Sequence, residues 1–202
     1  MDEHQEMLQR VYHLSSPDEV EGTYDDWAGG YDAELLGDLA YVGPRMAAER
    51  FAALVAPGAA VLDAGCGTGL VGAELAERGF TTIDGVDLSQ GMLDEARAKG
   101  CYRTLQKADL TARLPFDDDT YDATICVGTL TEGHVGPEAL DELIRVTRER
   151  VVVAILCRIW APLGYEAYIA GLEERGAARL VESTERPCVE DQNAYVCVIE
   201  PR

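Results

Sequence analysis

The chain has 202 residues, 47% of them hydrophobic, enough for one globular domain with a sizeable core. Its 37 acidic and 17 basic residues give a formal net charge of −20 at pH 7, a surface that repels phosphate backbones and anionic lipid. No Lys/Arg tract offsets that excess, and no apolar run approaches the roughly 18 residues of a membrane span, so neither nucleic acid nor membrane is an expected partner.

The chain opens with MDEHQEM, which lacks the basic-then-apolar order of a secretion signal, so a cytoplasmic location is expected. The six cysteines are scattered without a C-x-x-C pair and read as reduced, small hydrophobes. His4, His13 and His134 show no metal-ligand spacing, and no structural metal is expected.

Residues 1–42 are polar and mixed. At their centre lies GTYDDWAGGYDAEL, which gathers Tyr24, Trp27 and Tyr31 beside two glycines. A helix, PRMAAERFAALV, follows from Pro44, with Ala47, Phe51, Leu54 and Val55 on one face. We expect residues 1–57 to form a helical cover over a core at 58–202, the two making one domain. The three aromatics either cover a bound ligand, where their faces suit a cation, or simply pack an N-terminal helix.

From Ala59 onward, strand and helix alternate in the manner of a parallel sheet. VLDAGCGTG, residues 61–69, is an apolar strand ending in Asp63 and a turn with Gly65, Gly67 and Gly69. LVGAELAERG reads as the next helix, with Val71 and Leu75 inward and Gly79 as its stop. Such a turn is expected to bring bare backbone N–H groups and a positive helix end up to a ligand. A second strand, TTIDGVDLS, ends in Asp87, placed to take both hydroxyls of a ribose. Ser89 caps the helix QGMLDEARAKG, whose inner face carries Met92, Leu93 and Ala96. A third segment, LQKADL, ends in Asp109.

The fourth strand is YDATICV, and the loop GTLTEGHVGP after it is expected to face the reacting atoms. Its titratable groups are Glu132 and His134. His134 is either a general base or a loop histidine bonded to backbone. PEALDELIRVT is the following helix, RER at 148–150 reads as a loop, and VVVAIL is strand five. After the helix YEAYIAGLEERG come two strands, around ARLVES and AYVCVIE, joined by an acidic loop of about ten residues. That loop is too short for a crossover, so the two strands should pair antiparallel.

The dinucleotide fingerprint needs a third glycine where Leu70 stands, and a phosphate loop needs Lys-Ser or Lys-Thr where Leu70-Val71 stand. A G-x-G-x-G turn after an Asp instead resembles S-adenosylmethionine-dependent methyltransferases of the Rossmann-like class. So does D-x-S-x-x-M-L, matched by Asp87, Ser89, Met92 and Leu93. More closely, YDDWAGGYDAEL, VLDAGCGTGLVGAEL, GVDLSQGML and YDATICVGTLTEGHVGPEAL are similar to the small methyltransferase-like proteins named for the Williams–Beuren region and their bacterial relatives. One departure is Arg148-Glu149-Arg150, where many relatives have Pro-Gly-Gly.

The resemblance implies an α/β, Rossmann-like, doubly wound sheet of seven strands, mostly parallel with a C-terminal antiparallel pair and helices on both faces. It implies S-adenosyl-L-methionine as cofactor and S-adenosyl-L-homocysteine as product. Met92 would lie against the adenine, Asp109 would face its amino group beside the Leu110 amide, and Asp63 would hold the methionine amino end. Cys66, Leu88, Val127 and Thr129 complete the expected cofactor lining. Methyl transfer to a small-molecule substrate is the expected function. The rivals are a sensor or scaffold that binds the cofactor without transfer, and a nicotinamide-dependent oxidoreductase, which Leu70 and Asp109 disfavour.

Overall fold

The computed structural model describes residues 16–132, 135–189 and 191–202. Ser16 caps the first helix, α1 (Pro17–Ala33), by accepting the Glu19 amide, and Pro17 takes the first turn, where its missing N–H costs nothing. The helix runs into a π-helical turn, Glu34–Asp38, and is followed by α2 (Gly43–Ala52). The alternating part comprises β1 (Val61–Ala64), α3 (Leu70–Glu77), β2 (Ile83–Asp87), α4 (Gln90–Lys99), β3 (Thr104–Lys107), β4 (Tyr121–Val127), α5 (Ala139–Arg145) and β5 (Thr147–Leu156). A short α6 (Cys157–Trp160), α7 (Tyr165–Glu174), β6 (Ala178–Val189) and β7 (Gln192–Pro201) complete the chain.

All seven strands join one sheet in the order β3-β2-β1-β4-β5-β7-β6. β1 to β5 pair in parallel, and β7 runs antiparallel to both β5 and β6. Each inner strand feeds two apolar layers by alternation: in β5, Val151, Val153 and Ile155 face α5 and α7, while Val152 and Ala154 face the side of Phe51, Val71 and Leu75. A strand buried on both faces has no polar side, which is why VVVAIL is continuously apolar. The fold is therefore the expected Rossmann-like, doubly wound α/β sheet. Among the described residues, no helix is long and apolar enough to cross a membrane.

Three local expectations need correction. The stretch expected as a ten-residue acidic loop is mostly strand: Thr184 pairs with Val196 and Val189 with Gln192. Tertiary contacts draw it into the sheet, since Cys188 is buried and its carbonyl accepts the Val42 amide at 2.8 Å. Arg148 to Arg150 likewise belong to β5 rather than to a loop. Carboxylates on the flanking strands hold these basic side chains, Arg148 on Asp122 and Arg150 on Glu200, each at 2.7 Å. Finally, α2 stops at Ala52, short of Val55, although Val55 still packs in the core.

Candidate functional site

Strand order reverses between β1 and β4, and open parallel sheets leave a crevice at that point beyond the strand ends. A cleft with about 870 Å³ of open space occupies it. One wall is the turn after β1, with Gly65, Cys66, Gly67 and Thr68. A second is the tip of β2, with Asp87, Leu88, Ser89 and, from α4, Met92. Asp109 and Leu110 after β3, and Val127, Gly128 and Thr129 at the end of β4, close the far side. α1 forms the roof and presents Tyr24 and Tyr31. Of the expected cofactor residues, Asp63, Gly69 and Trp27 stand outside this lining.

The turn takes left-handed backbone at Gly65 (φ +73°), Gly67 (+52°) and Gly69 (+90°). Gly65 is confined twice over, because a Cβ there would also come 2.1 Å from Thr129 Oγ1. The row of bare amides expected here is not what the chain forms. Gly65 and Cys66 donate to the Val86 carbonyl at 2.8 and 2.9 Å, Gly67 to Asp87 Oδ2 at 2.8 Å, and Gly69 to the Cys66 carbonyl at 2.8 Å. A tight turn lying beside a parallel neighbour aims its N–H groups at that strand's last acceptors. Gly69 caps α3 and packs against Ala96 of α4, behind the cleft rather than in it.

Asp87 thus ties two segments together, since its Oδ1 also accepts the Ser89 amide at 2.9 Å. Burial raises its carboxyl above the ordinary value, and the Ser89, Gly67 and Leu88 amides counter that rise. Asp109 braces its own turn by accepting the Thr111 amide at 2.8 Å and hydroxyl at 2.7 Å.

Asp63 is wholly buried behind the turn. Its Oδ2 accepts the Tyr102 hydroxyl at 2.6 Å, while Oδ1 has no hydrogen-bond partner among the described residues. Burial raises this carboxyl to about 7 and the charge of Asp87 adds to the rise, against the lowering effect of Tyr102 and the Gly72 amide. Sequence reasoning missed Tyr102. Its signal was present in two interior glycines: a Cβ at Gly72 would lie 2.3 Å from the Tyr102 ring, and one at Gly85 3.0 Å from it. Glycine inside a helix or strand costs stability unless something approaches closely, and here the approaching group is that ring.

The tethering of α1 was missed as well. Asp25 Oδ1 accepts the Ser89 hydroxyl and the Gly91 amide, the latter at 2.8 Å. Asp32 takes the Thr68 hydroxyl on one oxygen and Lys99 on the other, and Glu21 pairs with Lys107. Ser89 meanwhile accepts the Met92 amide at 3.0 Å, so one side chain caps α4 and holds the roof. Tyr24, Trp27 and Tyr31 cluster on α1, with Trp27 and Tyr31 edge to face at 4.7 Å between ring centroids. Trp27 faces away from the first cleft into a second chamber. Glu132 is paired with Arg158 at 2.6 Å. His134, read as either a general base or a backbone-bonded loop histidine, lies outside the described residues, as do His4 and His13.

The chain is similar to known methyltransferases. A family model described as a methyltransferase domain matches residues 61–150. Methyltransferase-like protein 27 of Homo sapiens is 42% identical over 139 residues, covering 67% of this chain; the chain spans only 56% of that relative's length. Demethylmenaquinone methyltransferase of Clavibacter sepedonicus is 34% identical over 174 residues, covering 80% of this chain and 69% of the relative. Among solved structures, magnesium protoporphyrin IX methyltransferase from Synechocystis, with bound S-adenosylhomocysteine, superposes with a TM-score of 0.60 at 17% identity, covering 98% of this chain and 94% of that one. The chain belongs to the methyltransferase-domain family, within its S-adenosylmethionine-dependent, Rossmann-like class.

Proposed function

We propose that the cleft binds S-adenosylmethionine and that the protein transfers its methyl group to a small-molecule acceptor, leaving S-adenosylhomocysteine. The observation that carries this reading is a cleft at the point where strand order reverses, lined by the carboxylates of Asp87 and Asp109, with the Asp63 carboxyl buried directly behind its glycine turn. The group fits on the chemistry of this donor set. A cationic ligand suits the acids of the lining, and the Oδ1 of Asp63, buried behind the turn without a partner among the described residues, is an acceptor that an ammonium would satisfy. In this reading Asp87 takes the ribose hydroxyls, and Leu88, Met92 and Leu110 enclose the adenine with Asp109 at its amino edge. Gly65, Cys66, Gly67 and Thr129 pass the methionyl portion toward Asp63, and Gly69 fixes the turn. Val127 closes the floor under the sulfur, and Tyr24, Trp27 and Tyr31 belong to a cover formed by the N-terminal segment.

When bound, the cofactor supplies a methyl carbon made electrophilic by positive sulfur, so that an acceptor lone pair forms the new bond while the C–S bond breaks and its electron pair stays on sulfur. The chain's own task is alignment and exclusion of water. The α1 roof, tethered through Asp25 and Asp32, serves the second purpose. A small acceptor is supported by that roof, by the acidic surface, and by relatives named for menaquinone chemistry.

Titration calorimetry with S-adenosylmethionine and S-adenosylhomocysteine tests the first half, with saturable heat expected and its loss in Asp87→Ala. Absence of heat with either would overturn the reading. An acceptor screen with labelled methyl donor tests the second. S-adenosylhomocysteine formed only when an acceptor is present supports transfer, and binding without transfer across the screen favours a sensor.

A further inference from the structure

Beside the cofactor cleft lies a second chamber with about 660 Å³ of open space. The two share Tyr24, Tyr31, Tyr41 and Gly128 as a common wall. The second is built under the far half of α1, over the ends of β4, β5 and β6, from Trp27, Leu35, Leu130, Ala154, Leu156 and Cys188 among others. None of the described side chains lining it carries a charge, in a chain of formal net charge −20. A charged molecule entering it would lose hydration without finding a counter-ion. Trp27, Tyr24 and Tyr31 present ring faces and edges, and the indole is fixed in place by its Nε1 donating to Glu34 Oε2 at 2.8 Å. Fixed aromatic walls stack planar rings at little ordering cost.

Tyr41 stands where the chambers meet. A Cβ at Gly43 would lie 2.5 Å from its ring, and one at Gly128 2.6 Å from its hydroxyl, so two glycines make its seat. The amide of the next residue, Val42, is bonded to the Cys188 carbonyl at 2.8 Å, which anchors the segment to the sheet. Burial raises the Tyr41 hydroxyl well above its ordinary value, with the nearby Cys188, Tyr31 and Tyr24 adding to the rise, so it remains a proton donor at neutral pH.

We propose that this chamber is the acceptor subsite, that it selects uncharged planar aromatic molecules of one or two rings bearing a hydroxyl, and that Tyr41 holds that hydroxyl at the opening into the cofactor cleft. The proposal rests on the methyltransferase reading above and adds the class of acceptor to it. In the transfer, the acceptor O–H bond breaks, its proton passes to solvent water, an O–C bond forms and the C–S bond breaks with its electron pair left on sulfur. Tyr41 donates to the acceptor oxygen and stabilises its anionic form, which eases loss of that proton.

Equilibrium dialysis of the full chain, with and without saturating S-adenosylhomocysteine, is the test. The probes are 2-naphthol, naphthalene, naphthalene-2-sulfonate and 1-decanol. We expect saturable binding of 2-naphthol, with the sulfonate and the alcohol roughly tenfold weaker or worse. Ala154→Leu, which fills the chamber from β5, should weaken 2-naphthol roughly tenfold while S-adenosylhomocysteine affinity is retained. Tyr41→Phe should weaken 2-naphthol about fivefold and leave naphthalene unchanged, which a structural role alone would not do. Equal binding of the sulfonate or of decanol overturns the proposal. So does 2-naphthol binding that is indifferent to both substitutions in proteins that still bind S-adenosylhomocysteine. Failure of the parent to bind S-adenosylhomocysteine overturns the cofactor reading instead, and the dialysis without that ligand still reports on the chamber.

Discussion

Replacing Asp63 by Asn should make this protein more stable, and increasingly so as pH rises. The Asp63 carboxyl is wholly buried and is raised from 3.8 to about 7, whereas in the unfolded chain it ionises near its ordinary value. Between those two values the native state holds a proton that the unfolded state has released. Stability therefore falls with rising pH across that window and levels off above pH 7, having lost about 4 kcal/mol from this one group. Asn keeps an oxygen for the Tyr102 hydroxyl and has nothing to ionise. The stability gap between variant and parent should then widen by about 2 kcal/mol from pH 5.5 to pH 8, because most other titrations are common to both proteins and cancel. Urea unfolding followed by far-ultraviolet circular dichroism at both pH values measures it. A gap that stays constant would refute the claim that this acid is held protonated by burial. The same group links pH to ligand affinity: S-adenosylhomocysteine should bind the parent more tightly as pH passes 7, and the Asp63→Asn substitution should abolish that dependence.

Gly65→Ala should destabilise the fold by more than Gly67→Ala. Both require left-handed backbone, a cost of about 1–2 kcal/mol, but only at position 65 does the new Cβ also strike Thr129, and paired urea titrations report the difference. Tyr102→Phe removes the hydroxyl that bonds Asp63 Oδ2 and should cost roughly 1–3 kcal/mol at pH 8, with a smaller loss at pH 5.5, where the acid is protonated. Asp25→Ala releases the Ser89 hydroxyl and the Gly91 amide, so limited proteolysis should cut within α1 sooner while the sheet remains intact. Added S-adenosylhomocysteine should slow that cleavage in the parent.

Much of the fold was legible because local pattern and global packing agree in it. The apolar run of β4 matches its predicted bounds, and Ser89 caps α4 as expected. Where the expectation failed, the deciding contacts were remote in sequence. Nothing in TERPCV announces a strand; it extends because β7 lies alongside and Val42 takes its Cys188 carbonyl. Asp87 ends β2 as expected, Asp63 falls one residue inside the end of β1 and Asp109 two residues beyond β3, but the chain alone did not reveal that Asp87 is already occupied by two amides while Asp63 keeps one oxygen without a partner among the described residues.

By itself the sequence determined the periodic parts of this protein: the central strands of the sheet, the starts of the helices that follow β1 and β2, and the glycine-and-acid spacing along the first three βα units. These are matters of dihedral preference and hydrophobic period within a few neighbouring residues. Only the tertiary structure decided the partnerships, namely Tyr102 seated between Gly72 and Gly85, α1 tethered by Asp25 and Asp32, and Tyr41 standing between two chambers. The reason is that burial and hydrogen bonding between distant residues depend on where the whole chain brings them, and no local pattern carries that information.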